Sequence, residues 1–458
     1  MSEIISYCIK GFEYKTPWIS VNESGELKVK HRKETVVVIP KVTLLFRVND
    51  DCDGNIKNIE GVDVANAFIL HKVIHDNIKD PATYSSGLIQ FFSFLELKGL
   101  NWQHMETRKN QRPTYMFKKF LEAAYRNTNK DDHIAGSTCK SYMRVIINFY
   151  RFHMRKGTEF LNSPFEDETL SINIDNDASS IHRNKAFSVA STDLRLDIPK
   201  AHVGVVPKKL QSLTKDEWKL LDILIRKDRK VLSVKEDQSF WCSLPIEFTY
   251  IFLLMRYTGM RREEALTFNL SLVTKPTDLQ LKKGTIRVDI GPRFGVSTKN
   301  DQEREIEIPS GLMNQLHEYS TSTRYIKRRN KYIAKTEGSE TGFEPIFLSS
   351  RGSLFSKETV NARWSEIRRT MTVKLGYAFT HKPHNLRSTY GVMRLFSLLD
   401  AGMKQSDALT FIQDHLGHSA LRMTLHYLRQ TEKYKSADEL AEIAIDHLHN
   451  LEDFEVKS

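Results

Sequence analysis

Residues 246–257 are the stretch that most limits how this chain can fold, because IEFTYIFLLMRY is apolar on nearly every side of a helix. A helix with that composition is stable only when a core surrounds it. Neither it nor any other apolar run approaches the roughly 20 residues that a bilayer-crossing helix needs. The sequence therefore predicts a globular domain with a buried central helix, and 458 residues suffice for two or three domains.

The sequence pattern of the first 210 residues changes at two points, which divide it into three segments. Residues 1–62 are predicted to be a β-rich N-terminal accessory region, since KETVVVIPKV and TLLFRV are β-branched runs and DDCDGN is typical of a turn. Residues 63–165 show helical periodicity and are predicted to be a helical domain. Residues 166–210 lose that periodicity and contain two prolines close together, which predicts a linker. The helical domain is expected to contain helices over Ala82–Leu97, Pro113–Asn127 and Thr138–Lys156.

Residues 211–430 are predicted to be a mixed α+β domain. Thr214 and Glu217 have the spacing of a capping box that begins a helix. Apolar and polar residues alternate near both ends of residues 284–309, with turn residues between, which predicts a small antiparallel sheet. Residues 431–458 are predicted to be a separate C-terminal helix. The predicted fold class is mainly α with a small antiparallel β-sheet and a β-rich N-terminal extension.

The predicted helix over Thr138–Lys156 has a basic face. With about 100° between successive residues, four basic side chains fall in a stripe roughly 60° wide, opposite the apolar side. These side chains are Lys140, Arg144, Arg151 and Arg155. Such a helix can bury one face and offer the other to the phosphate backbone of DNA. The alternative is a charged face that contacts only water.

The charge of the chain is unevenly distributed. The net charge is +11 and the isoelectric point is about 9.2. Residues 430–458 contain eight acidic and three basic residues, a charge of −5, so the remaining 429 residues carry +16. A basic body favours a polyanionic partner, because each phosphate that it neutralises releases counterions. An acidic tail suits contact with protein, although charge alone is equally compatible with a merely basic soluble protein.

Several classes of protein are disfavoured by what the sequence lacks. The four cysteines are far apart and form neither a CxxC pair nor a cluster with histidine, which argues against a zinc site or a disulfide framework. No P-loop and no carboxylate cluster for magnesium is present. The opening MSEIISYCIK lacks the layout of a signal peptide, so a reducing cytoplasmic or nucleoid location is expected. The cysteines are Cys8, Cys52, Cys139 and Cys242.

Two motifs in the C-terminal half place cations where a phosphate could bind. In TGMRREE, Gly259 allows the chain to reverse and Arg261 then falls near the start of the next helix. An arginine there combines a planar donor fork with the free amides of the helix start. Glu264 lies three residues on and can orient the guanidinium. Lys299 is predicted to lie in the turn between two strands, although lysines at turns are common.

Two further motifs add histidines and a tyrosine. His384 and Arg387 share a helical face, and Pro383 favours a helix start beside them. His418 follows a glycine, and Tyr427 comes nine residues later. Taken singly, each of these residues is most often a packing, capping or surface residue.

The order of the four motifs resembles the catalytic domain of the tyrosine recombinases, the family of phage integrases, chromosome-dimer resolvases and many mobile-element recombinases. The family pattern is TGxR with an acid three residues on, a hairpin lysine, HxxR, LGH, and a tyrosine nine residues after that histidine. The resemblance covers roughly residues 210–430. Residues 63–165 look like the family's core-binding domain but carry no motif, and the resemblance does not extend to residues 1–62.

The resemblance implies that Tyr427 attacks the phosphorus of a DNA phosphodiester and forms a covalent phosphotyrosyl link. Arg261 and Arg387 would neutralise the phosphate, because arginine is permanently charged and presents a rigid donor fork. Phenol has an ordinary pKa near 10 and needs a base, a role that the resemblance gives to His384.

The remaining roles follow from the same resemblance. Lys299 would protonate the departing 5′ oxygen, which is otherwise a poor leaving group. His418 would hydrogen-bond the phosphate or hold the tyrosine in place. The phosphotyrosyl link retains the bond energy, so no ATP, metal or other cofactor is expected.

The expected partners are double-stranded DNA attachment sites, further copies of the chain in a tetramer on DNA, and accessory DNA-bending or directionality proteins. Ala437–Phe454 has the pattern of an amphipathic acidic helix. In the family such a helix often docks on a neighbouring protomer, and the alternative is packing on its own domain.

Other interpretations stay open at this point. A type IB topoisomerase-like enzyme uses similar residues but relaxes DNA as a monomer, and a DNA-binding member of the family could have lost catalysis. Tyr434 and Tyr390 are competing candidates for the nucleophile. The pattern does not separate an integrase from a transposon recombinase or a resolvase.

Overall fold

The secondary structure agrees with the predicted fold class, mainly α with small antiparallel sheets and a β-rich N-terminal region. The computed structural model describes residues 2–21, 27–50, 56–78, 81–129, 131–173, 186–199, 210–336 and 343–418. The strands are β1 (Ser2–Val21), β2 (Leu27–Asp50), β3 (Ile56–Gly61), β4 (Asp167–Asn173), β5 (Ala186–Thr192), β6 (Lys230–Lys235), β7 (Gln238–Ser243), β8 (Thr285–Ile290) and β9 (Arg304–Pro309).

The helices lie in two compact units of the chain, residues 1–201 and residues 202–458. The first unit contains α1 (Asp63–Ile74), α2 (Ala82–Lys98), α3 (Pro113–Arg126) and α4 (Gly136–Arg155). The second contains α5 (Lys215–Ile223), α6 (Ile246–Thr258), α7 (Arg262–Leu266), α8 (Asp278–Lys283), α9 (Ser310–Thr321), α10 (Thr323–Thr336), α11 (Lys357–Leu375), α12 (His384–Asp400) and α13 (Gln405–Leu416).

The first unit has one core, to which strands and helices both contribute. β1 and β2 form a long antiparallel ribbon, and β3 pairs with the other edge of β2. Val42 and Leu45 of β2 are fully buried and belong to the same cluster as Phe68, Phe91 and Phe149 of the helices. A two-stranded ribbon by itself is only marginally stable in water, so packing on the helices stabilises the end of the ribbon that reaches them.

Three helices of the first unit match the sequence predictions to within two residues at either end. The segment predicted to be a linker contains a strand pair, β4 with β5, in register from Asp167↔Thr192. Leu194, Leu196 and Ile198, which follow β5, are buried in the core of the first unit. This short alternating run has the period of an extended chain, and the two prolines that suggested a linker lie at or after its end.

The second unit is built around α6, in which every residue is buried, as the apolar sequence predicted. Thr214 and Glu217 form the predicted capping box at the start of α5. β8 and β9 are the predicted antiparallel pair, in register from Thr285↔Pro309 to Ile290↔Arg304. Within the described ranges, no helix has both the length and the apolar character to cross a membrane.

Candidate active site

The turn after α6 brings two distant parts of the second unit together. Gly259 ends the helix in the left-handed region at φ 68°. A Cβ atom at this position would lie 2.4 Å from Cδ2 of Leu416 and 2.5 Å from Cδ1 of Tyr390. Only glycine tolerates both the backbone conformation and that close approach. The turn therefore places the residues that follow it beside the end of α13.

Arg261 lies immediately before α7 and is held from two sides. Its Nη1 donates to Oε1 of Glu264 at 2.9 Å, and its backbone N–H donates to Oε2 of the same carboxylate at 2.7 Å. Its Nη2 donates to the carbonyl oxygen of Gly417 at 2.9 Å. The side chain is 23% exposed, so it is fixed by protein through these contacts and is still partly accessible to a ligand.

Arg387 reaches the same place from the first turn of α12. Its Nη1 donates to the carbonyl oxygen of Gly259 at 2.6 Å, and its Nη2 donates to the carbonyl oxygen of Leu416. The residue is almost completely buried. The structure thus brings together Arg261, Glu264 and Arg387, three of the predicted site residues, around the turn that leads to His418.

A third arginine, Arg304 at the start of β9, completes the cluster and was missed by the sequence analysis. It donates from Nη1 and Nη2 to the two oxygens of Glu264, at 3.0 and 2.5 Å, and from Nε to the carbonyl oxygen of His415 at 2.9 Å. One signal was available in the sequence. Arg304 is in phase with Ile306 and Ile308, and a charged residue on the inward face of a strand requires a buried partner.

The carboxylate of Glu264 is buried between these cations. Burial by itself would raise the pKa of Glu264, but hydrogen bonds and positive charge from Arg304, with further charge from Arg387 and Arg261, lower it to about 2. The carboxylate therefore stays ionised at neutral pH. A permanently ionised Glu264 can orient both Arg261 and Arg304.

His418 follows the end of α13 in an electropositive environment. Gly417 takes up the left-handed conformation at φ 59°, and the N–H of His418 donates to the carbonyl oxygen of Gln413 at 2.9 Å. Burial, followed by the charges of Arg387 and Arg261, lowers the pKa of His418 to about 3. The imidazole is therefore neutral at physiological pH. His384, the first residue of α12, is near enough for its charge to contribute to the same shift.

Two of the predicted catalytic residues, Lys299 and Tyr427, are not part of this cluster as the structure describes it. Lys299 is exposed in the connection between β8 and β9, and no described hydrogen bond joins it to Glu264 or to the carbonyl groups of residues 415–417. Tyr427 and Tyr434 lie outside the described residues, as does the predicted helix Ala437–Phe454.

Tyr390, a rival candidate for the nucleophile, is a core residue in the structure. It is 2% exposed and packs in a cluster with Val392, Leu395 and Leu416. Burial raises the pKa of its phenol well above the ordinary value. A buried phenol is a poor nucleophile, because burial keeps a substrate away from it and also opposes its ionisation.

The basic stripe of the first unit lies on α4 as predicted. Lys140, Arg144 and Arg155 are exposed. Arg151 is instead engaged with its own unit, since its Nη2 lies 2.5 Å from Oδ1 of Asp167 and its guanidinium lies over the ring of Phe165. Lys140 and Arg155 each donate to a carbonyl oxygen of their own unit, Lys140 to that of Ile198 at 3.4 Å and Arg155 to that of Arg151 at 3.2 Å. All three exposed side chains are nevertheless accessible to a partner. Within the ranges that the structure covers, no group of three or more His, Cys, Asp or Glu residues could hold a metal ion.

Comparisons with known proteins give one family match and several similar solved structures. The phage integrase family matches residues 232–433, a range that contains all six predicted catalytic positions. Among solved structures, the XerH site-specific recombinase bound to difH in a post-cleavage complex is 14% identical over 79% of this chain and 78% of that chain, with a TM-score of 0.43. A fragment of the Tn1549 transposon integrase with circular intermediate DNA is 15% identical over 84% and 98%, with a TM-score of 0.47. No curated protein matches the sequence.

Proposed function

Residues 232–433 match the phage integrase family, and on that premise we propose that this protein is a site-specific DNA recombinase. It cleaves one strand with Tyr427 through a 3′-phosphotyrosyl link and rejoins it to a different partner, in the integration or excision of a mobile element. The observation that carries the proposal is the convergence of Arg261 and Arg387 on the turn before His418.

Two arginines beside one turn suit a phosphodiester. The phosphate is negatively charged and repels a phenolate, and more charge develops on its oxygens as the fifth bond to phosphorus forms. Arg261 is better placed than Arg387 to bind these oxygens, because its side chain is partly exposed and its guanidinium is held by Glu264 and Gly417. Donors already fixed by protein need no reorganisation in the transition state. Arg387 adds a second positive charge, which the carbonyl oxygens of Gly259 and Leu416 hold in place.

The proposed chemistry exchanges one phosphate ester for another. The oxygen of Tyr427 forms a bond to phosphorus while the bond from phosphorus to the 5′ oxygen breaks. His384 accepts the phenolic proton, and Lys299 supplies a proton to the 5′ oxygen, which leaves as a hydroxyl. His418, neutral at physiological pH, hydrogen-bonds the phosphate or the tyrosine. A 5′ hydroxyl of the partner strand then reverses these steps, so neither ATP nor a metal ion is consumed or required.

The rest of the chain would serve DNA binding and assembly. The exposed cations of α4 make residues 63–165 the second DNA-binding element, with residues 166–210 as its connection to the catalytic domain, 211–430. Residues 1–62 would be an accessory region, and residues 431–458 an acidic helix that contacts a neighbouring protomer in a tetramer. Attachment-site DNA is the expected partner, with accessory DNA-bending or directionality proteins, in the cytoplasm.

A trapping experiment tests the proposal. A duplex that binds Tyr427→Phe protein is first selected from a random-sequence pool, and this selected duplex is then rebuilt with a nick at each position in turn. A nick beside the cleavage point releases a short fragment, so the covalent adduct accumulates. The reactions contain EDTA and no ATP. We expect wild type and Tyr434→Phe to form an adduct, and Tyr427→Phe to form none.

Each other outcome identifies a specific alternative. Binding of the selected duplex without any adduct from wild type would indicate a DNA-binding protein without catalysis. An adduct that persists in Tyr427→Phe but disappears in Tyr434→Phe would assign the nucleophile to Tyr434. Relaxation of a supercoiled plasmid that lacks the selected site, with no exchange between two duplexes, would favour a topoisomerase-like enzyme.

A further inference from the structure

We propose that Arg304 is a positioning residue for strand cleavage, acting on Arg261 through Glu264 and on the His418 turn through the carbonyl oxygen of His415. The inference rests on the proposed recombinase function. Arg304 does not have to touch DNA in this role. Its contribution is to hold two parts of the site in one geometry.

The first half of the argument is the shared carboxylate. Arg304 and Arg261 both donate to Oε1 of Glu264, at 3.0 and 2.9 Å, and Oε2 accepts from Arg304 and from the backbone of Arg261. Arg304 and Glu264 have side-chain exposures of only 4% and 1%. Because its two oxygens accept hydrogen bonds from fixed donors, the carboxylate of Glu264 is held in one orientation. Its hydrogen bonds to Arg261 then fix the orientation of that guanidinium as well.

The second half of the argument is a run of three consecutive carbonyl groups at the end of α13. The carbonyl oxygen of His415 accepts from Arg304, that of Leu416 from Arg387, and that of Gly417 from Arg261. The last carbonyls of a helix lack partners within the helix, so these arginines take the place of a cap. His418 is the next residue in the chain, so the same three side chains help to fix its position, together with the hydrogen bond from its N–H to the carbonyl oxygen of Gln413.

Arginine is required at this position for its shape as well as its charge. One guanidinium binds both oxygens of Glu264 in a fork and still directs Nε to His415. A lysine ammonium keeps the charge but is a single point that cannot make this set of contacts. Arg304→Lys therefore removes the positioning while leaving the buried charge of Glu264 compensated.

The matched control is Arg394→Lys. Arg394 lies on α12 and pairs with Glu307 of β9 at 2.8 Å, so it also joins that strand to a helix. It makes no hydrogen bond to Glu264 or to the carbonyl groups of residues 415–417 among the contacts that the structure describes. A loss of activity caused by a looser strand β9 would appear in both variants, whereas a loss of positioning would appear in Arg304→Lys alone.

The experiment measures single-turnover adduct formation at saturating selected duplex, together with DNA affinity and the melting temperature. We expect Arg304→Lys to lower the cleavage rate at least tenfold per folded molecule, with DNA affinity within about threefold of wild type. Arg394→Lys should stay within about threefold in both. Should Arg304→Lys fail to fold, Arg304→Gln is used, since it leaves Glu264 paired with Arg261 and keeps an amide donor for His415.

A double substitution separates positioning from simple stabilisation. Because one of the two routes runs through Arg261, Arg304→Lys should lower the rate by a smaller factor in an Arg261→Lys background than in wild type. The inference would be overturned if Arg304→Lys lowered the cleavage rate by the same factor in wild type and in Arg261→Lys, or did not lower it at all. The proposed recombinase function would still stand in that case, provided that wild type forms the adduct. Absence of any wild-type adduct would overturn the proposed function, and the positioning role with it.

Discussion

The Nη2 atom of Arg261 donates to the carbonyl oxygen of Gly417 over 2.9 Å, although 156 positions separate the two residues in the chain. This hydrogen bond joins the turn after the central helix α6 to the turn after α13. Motifs that look independent in the sequence therefore depend on one another in the fold. Changes at either turn should affect both stability and cleavage.

Gly259→Ala should destabilise the second unit strongly. The added Cβ atom meets Leu416 and Tyr390 at 2.4 and 2.5 Å, and the backbone has a positive φ. We expect a loss of about 2–4 kcal/mol in the free energy of unfolding, from overpacking and from the left-handed conformation together. Gly376→Ala is the control, because Gly376 has φ 74° but no atom within 4 Å of the added Cβ. It should cost about 1–2 kcal/mol. The free energy of unfolding is measured in urea for both variants. Equal losses would show that Leu416 and Tyr390 move away from the added Cβ atom at little cost.

The two predicted phosphate-binding arginines should differ in their effect on stability. Arg387→Ala leaves two buried carbonyl groups without their donors, those of Gly259 and Leu416, at about 1–3 kcal/mol for each. Arg261→Ala affects a partly exposed side chain and should destabilise less. Both should reduce adduct formation by at least a hundredfold. Cleavage by folded Arg261→Ala at the wild-type rate would contradict its assignment to the phosphate.

Stability should fall as the pH drops from 7 to 4, because the buried His415 of α13 and the half-buried His418 of the turn after it are neutral in the folded state. Burial, followed by the charge of Arg394 and then Arg304, lowers the pKa of His415 to about 4, and that of His418 is about 3. Below about pH 6.5 these histidines bind protons in the unfolded chain, which lowers the free energy of the unfolded state. In the folded state they stay neutral to a lower pH, so acidification favours unfolding.

For His415 alone this amounts to a loss on the order of 3 kcal/mol between pH 7 and pH 4. The measurement is urea unfolding at half-unit steps of pH, in wild type and in His415→Gln. The variant should show a shallower dependence on pH over this window. Parallel curves would mean that His415 is accessible to protons in the folded protein.

Lys299→Ala should abolish cleavage of ordinary DNA but not of a substrate with sulfur in place of the bridging 5′ oxygen. A thiolate leaves without being protonated, since its ordinary pKa lies far below that of an alcohol. The two substrates are compared in the trapping assay, with Arg261→Ala as the control that sulfur should not rescue. Failure of the sulfur substrate to rescue Lys299→Ala would assign the proton donor to another residue.

The basic face of α4 should contribute to DNA affinity through phosphate contacts. Lys140→Ala, Arg144→Ala and Arg155→Ala should each weaken binding to any sequence and reduce the slope of log affinity against log salt by about one. Arg151→Ala should change the slope less, because Arg151 is paired with Asp167. The measurement is fluorescence anisotropy with selected and random duplexes. Equal slopes in all four variants and wild type would exclude this face from the interface.

Local pattern sufficed to predict much of this protein. The all-round apolar run predicted the buried helix α6, period-two alternation predicted β8 with β9, and the capping pair Thr214 and Glu217 predicted the start of α5. Helical periodicity likewise placed the basic face of α4. The pattern that predicts each of these features spans residues only a few positions apart, and a linear sequence displays such a pattern directly.

Motif order went further than local pattern, because it led to the family that residues 232–433 match and to the candidates Arg261, Glu264 and Arg387. The tertiary structure alone showed what those residues contact. Which carbonyl group each arginine binds depends on turns at Gly259 and Gly417 that lie far apart in the chain. Arg304 had no motif to mark it, since its importance comes from a carboxylate 40 positions away. Burial of a charge compels a partner, but only the packed fold determines which partner is within reach.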